Sequence, residues 1–109
     1  MTMKYKIITT RGARPLVEVQ FEDKRFSLVG EMLLAERGFL PQMRASLEKV
    51  LKSADTENET FAGNAFSLFI TKETTKLSND INGEEAEAPT KELSKLIKVY
   101  QRQYARIKR

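Results

Sequence analysis

The residues of this sequence best spaced to do chemistry are bases. Lys91, Lys95, Lys98, Arg102, Arg106 and Arg109 recur at intervals of three or four positions, the spacing that stacks side chains on one side of an α-helix. At 100° per residue the six fall within a stripe of roughly 80°. Neighbours such as Lys91/Lys95, Lys98/Arg102 and Arg102/Arg106 repel by about a few tenths of a kcal/mol each, with no acid interleaved to relieve them. The chemistry such a ridge supports is recognition of an anion. The plainer reading is a solvated outer face whose bases complement the helix dipole and an acidic body. Three anionic partners come into question. One is an acidic protein surface, on another chain or in this chain's own acidic segment 80–87. Another is a nucleic-acid backbone, which would bind in a salt-dependent way as counterions are released. The third is a membrane surface, which fits worst because the helix would have to free its apolar face. Against nucleic acid stand the absence of exposed aromatics between the bases and of any helix-turn-helix or RNA-binding signature.

Catalysis finds little material. The chain contains no Cys and no His, which removes thiolate nucleophiles, disulfides, zinc fingers, Ser-His-Asp triads and imidazole acid–base chemistry. Carboxylates remain: Glu18 and Glu22 on a strand face, and Asp55, Glu57 and Glu59 in a polar loop. Their spacing does not distinguish a hydrolase pair or an oxygen-ligand metal site from solvated surface acids. Gly63-Asn64 reads as a turn, because the glycines are too dispersed to cradle a phosphate. No metal or cofactor is implied, and the expectation is a protein that is not an enzyme.

The charge is unevenly spread along the 109 residues, whose formal net charge is +4. Residues 1–89 carry 12 Lys/Arg against 14 Asp/Glu, a net of −2, whereas residues 90–109 carry seven against one, a net of +6. Between them, residues 79–89 hold four acids and no base, with Gly83 and Pro89 and few large apolar groups. That composition suggests a flexible acidic linker. The chain suits a single domain, and no apolar run approaches the ~20 residues of a membrane span. With no recognisable export signal, a cytoplasmic protein is expected.

Several elements must position the ridge. Residues 3–10 alternate in the manner of a strand, and Val17, Val19 and Phe21 alternate with Glu18, Gln20 and Glu22 in a second. Residues 26–29 suggest a third strand across a tight turn at 22–25. From Gly30 the pattern favours a short helix ended by Gly38, and then a second, amphipathic helix starting near Pro41. Residues 61–71 predict a fourth strand, and Thr74–Leu77 a fifth that serves at best as an edge. The final helix, 90–109, follows Pro89 with Thr90 as its N-cap and Glu92 at the positive end of its dipole. Its apolar residues Leu93, Leu96, Ile97, Tyr100, Tyr104 and Ile107 occupy one arc opposite the bases. The arc suits packing on the chain's own sheet, or pairing of two chains as a homodimer. The sum is an α+β fold, an antiparallel sheet of four to five strands in the order β-β-β-α-α-β-(β)-α, packed on one face by helices. The function expected of it is a small macromolecular interaction module, binding or regulating another protein. The alternative is a nucleic-acid-binding accessory protein using the basic face of the last helix.

Overall fold

Alternation of β-branched and aromatic residues with polar ones builds the first hairpin. In the computed structural model, which describes residues 3–10, 12–13, 16–54 and 58–107, β1 (Tyr5–Thr10) pairs antiparallel with β2 (Leu16–Phe21), Tyr5 opposite Phe21 and Thr10 opposite Leu16. Arg11, Arg14, Pro15, Asp55, Glu57, Lys108 and Arg109 lie outside the described residues.

The strand expected over 26–29 is helical. Asp23 accepts the backbone N–H of Arg25 at 2.9 Å, closing a 3-10 turn over Lys24–Phe26 that runs directly into α1 (Ser27–Ala35). The physical reason is the spacing of the buried residues Leu28, Val29, Met32 and Leu33, which fits one side of a helix once the window extends past Val29. Gly30 therefore does not start the helix. It lies inside it, where a Cβ would come within 3.2 Å of the Val19 carbonyl, so the glycine lets α1 lie close on β2. A 3-10 turn, Arg37–Phe39, leads into α2 (Leu40–Lys52), with Pro41 in the first turn as expected. There the missing proline N–H costs nothing.

The remaining strands form a meander, β3-β4-β5-β6, in a sheet separate from the hairpin. The fold is α+β as expected, with two antiparallel sheets instead of one. β3 (Glu59–Ala62) and β4 (Phe66–Ile70) divide the single strand expected over 61–71. They turn at Gly63, whose N–H donates to the Phe66 carbonyl at 2.8 Å. β5 (Thr74–Asn79) is an interior strand with a neighbour on each side, where an edge was expected. Its small polar residues fit because only Thr75 and Leu77 face the core.

The linker expected at 79–89 is corrected most. Residues 80–84 turn the chain, and Glu85–Pro89 pair with β5 as β6. The Asn79 side chain accepts the N–H groups of Ile81 and Asn82 at 2.9 and 3.3 Å, and the Asn82 side chain accepts that of Glu84 at 2.9 Å. Gly83 adopts φ +77°, a left-handed conformation that closes the turn.

α3 (Thr90–Ile107) begins directly after β6 and packs against α2, both strands of the hairpin, β5 and β6. Thr90, expected as the N-cap, is instead the first helical residue, and its hydroxyl bonds outside the helix. The Thr90 hydroxyl donates to the Thr71 carbonyl at 2.6 Å and meets the Thr75 hydroxyl at 2.8 Å, both threonines being fully buried. Glu92, in the first turn, accepts the Met3 N–H at 3.0 Å. Leu93, Leu96 and Ile97 are completely buried and Tyr100 is 1 % exposed, while Tyr104 and Ile107 pack partly buried at the rim of the same core. The apolar arc is thus occupied by the chain's own core.

Tyr100 yields a pH test of that burial. Its hydroxyl donates to the Val17 carbonyl at 3.2 Å, and burial pushes its pKa up from 10.0 to about 12. The unfolded chain releases this proton first, so stability falls as pH rises from about 10 to about 12. Tyr100→Phe is expected to flatten that part of the stability profile, as measured by denaturant titrations at stepped alkaline pH. It also lowers stability at neutral pH by about 1 kcal/mol, through loss of the bond to Val17.

Candidate interaction surface

α3 mounts the ridge rigidly because its other side is spent on the core. Lys91, Lys95, Lys98, Arg102 and Arg106 are all exposed. From first to last they span about 22 Å along the axis at 1.5 Å per residue. The described ion pairs are Arg25–Asp23, Arg44–Glu48, Lys52–Glu48, Lys49–Glu59 and Lys76–Glu85, and none involves the ridge. Arg109, expected as its sixth member, lies outside the described residues.

The chain's own acidic segment was one candidate counterpart. Glu85 instead pairs with Lys76 on β5 at 3.0 Å, and Asp80 accepts the Ser67 hydroxyl at 2.7 Å. Among the described residues, no acid of 80–87 meets the ridge. Glu48 on α2 is an electrostatic neighbour of Lys98. Its carboxyl is held below the usual range first by the hydrogen bond from Arg44 and more weakly by charges that include Lys98. Arg44 also donates to Gln101 at 3.2 Å, tying α2 to α3 beside the ridge.

The two tail tyrosines are engaged internally. Their rings stack with centroids 6.4 Å apart and planes 9° from parallel, and the Arg37 guanidinium lies 5.5 Å from the Tyr104 ring centre. Neither ring stands among the bases as a platform for a nucleobase. Among the described residues, the exposed large apolar ones, Phe39, Phe69 and Ile81, belong to three different segments.

Of the carboxylates considered for catalysis, Asp55 and Glu57 lie outside the described residues, and the described ones show no shared site. Glu18 is on β2, Glu22 follows it, and Glu59 on β3 pairs with Lys49 at 3.5 Å. Among the described residues, no group of three or more acids is placed to hold a metal ion.

Two features escaped the sequence reading. Glu36, fully buried just after α1, accepts the N–H groups of Asn64 and Ala65, both at 2.7 Å. β6, which packs against the Lys24–Phe26 turn and α1, borders together with Arg25, Phe26 and Thr74 a groove of about 410 Å³, and among the described residues no strand pairs with it on the side away from β5. The pair Asn82-Gly83, a hairpin signal, was a clue to that edge.

What fold and surface define together is an α+β domain with a basic helical ridge. No helix among the described residues is long and apolar enough to cross a membrane. No family model, curated protein or solved structure matches the chain.

Proposed function

We propose that this chain is a non-catalytic interaction module of the cytoplasm that docks on an acidic protein surface through the ridge Lys91, Lys95, Lys98, Arg102 and Arg106. One observation carries the reading. α3 commits its apolar arc to the chain's own core while presenting five exposed bases without an ion partner among the described residues. Mutual repulsion on such a ridge is relieved when an acidic surface covers it. Rigid mounting lowers the conformational cost of docking.

Protein is favoured over nucleic acid because the ridge offers no stacking ring and has Glu48 at its flank. The test is fluorescence anisotropy with a labelled oligoglutamate peptide, a DNA duplex and a single-stranded RNA, at about 50 and about 200 mM salt. The expected result is peptide binding that weakens by about ten- to a hundredfold in the triple variant Lys95→Glu, Lys98→Glu, Arg102→Glu, as three surface charges of about 0.5–1 kcal/mol each require. Nucleic-acid binding tighter than peptide binding and abolished by the same variant would replace this reading with the phosphate-contact one. Peptide binding unchanged by the variant would show that the ridge is not the site.

A further inference from the structure

The β6 edge is an open ladder. The Asn79 N–H donates to the Glu84 carbonyl at 2.8 Å and the Thr90 N–H to the Glu73 carbonyl at 3.1 Å. With Leu77 opposite Ala86 and Thr75 opposite Ala88, antiparallel alternation turns the backbone groups of Ala86 and Ala88 toward β5. Those of Glu85 and Glu87 point the other way, out of the sheet. Among the described residues, neither of these N–H groups has a hydrogen-bond partner. Pro89 has the same orientation but no N–H, so it bounds the edge at that end.

We infer that this edge binds a short extended segment of another protein, added as a further antiparallel strand, in which basic residues alternate with small apolar ones. Chain alternation fixes the pattern. Side chains opposite Glu85 and Glu87 share their exposed face, and those between them turn toward the side of Ala86, Ala88 and Phe26. The exposed face already alternates in sign across the sheet, since Lys76 lies opposite Glu87 and pairs with Glu85 at 3.0 Å. A Lys or Arg opposite each glutamate continues that alternation, and Glu87 has no ion partner among the described residues. The groove volume is within the range of small ligand sites. A second copy of β6 is the poorer occupant, because antiparallel self-pairing would set glutamates against glutamates. Within the same sheet the other edge strand, β3, is only four residues long. This surface is separate from the α3 ridge, and neither proposal depends on the other.

The probe is a fluorescent peptide, Thr-Lys-Val-Lys-Val-Lys-Thr, titrated by anisotropy. Glu87→Pro removes an N–H that the sheet does not use, at an edge position where proline is tolerated, and a thermal melt verifies folding. The expected result is binding that falls by roughly tenfold or more in Glu87→Pro, about the worth of one hydrogen bond. It should fall similarly when the peptide backbone is N-methylated, and weaken in Glu87→Gln, which keeps the N–H and loses the charge. The α3 triple variant should bind the peptide as well as wild type does. Equal affinity for the N-methylated peptide would overturn the proposal by showing charge attraction without strand pairing. So would absence of binding, or a dimer in sedimentation that Glu87→Pro dissolves.

Discussion

Glu36→Ala is expected to lower the free energy of unfolding by about 3 kcal/mol. The carboxylate is fully buried and spends one oxygen on each of two turn N–H groups, Asn64 on Oε2 and Ala65 on Oε1. Hydrogen bonds to a charged acceptor contribute about 1.5–3 kcal/mol each, and removing the buried acceptor takes away the partner of both turn donors. Glu36→Gln retains one carbonyl oxygen but turns an amide NH2 toward the second donor, so about half the loss is expected. Gly63→Ala should match the alanine variant at 36, because a Cβ at 63 would lie 1.8 Å from Glu36 Oε2 and displace the carboxylate from both donors. Urea titration checks all three: the midpoint should fall with the slope unchanged. A loss under about 0.5 kcal/mol for Glu36→Ala would mean that the bonds to the turn do not hold the fold.

That clamp illustrates what could and could not be read from the chain. Gly63-Asn64 is legible as a turn, because Gly and Asn supply turn conformations locally. Its anchor, 28 residues earlier, is not. Within its own segment Glu36 is only a helix-favouring residue, and nothing local indicates that its carboxylate is buried. The last helix is the opposite case. Leu93, Leu96, Ile97 and Tyr100 repeat at the helical period over enough turns that periodicity alone places both the core face and the basic ridge. Residues 26–29 are too few to separate a period of two from one of 3.6, so Phe26 and Leu28 mimic a strand until Met32 and Leu33 are included. Residues 85–89 fail for another reason. Glu-Ala-Glu-Ala-Pro does alternate, but alanine adds too little apolar surface to outweigh four acids in eleven positions. The ridge was therefore visible in the sequence, whereas the open edge depends on β6 being a strand.

Leu96→Ala tests whether α3 belongs to its own chain. Leu96 is completely buried, in one core with Ile97, Met32 and Leu77. Cutting it to alanine removes apolar contact and leaves a cavity, together costing about 3 kcal/mol. Were the arc instead completed by a second chain, stability would rise with protein concentration, since association favours the folded state by mass action. Burial within one chain predicts a melting temperature unchanged over about a hundredfold dilution, for wild type and Leu96→Ala alike. The charge-reversed ridge variant should melt within about 10 °C of wild type, because exposed substitutions on a solvated face alter stability by about 0.5 kcal/mol or less each. Together these outcomes divide the helix into two independent halves. One face is required for folding and indifferent to salt and concentration; the other is dispensable for folding and available for a partner. A concentration-dependent melt would join the two faces again, because the arc would then be an interface and the ridge would lie beside it.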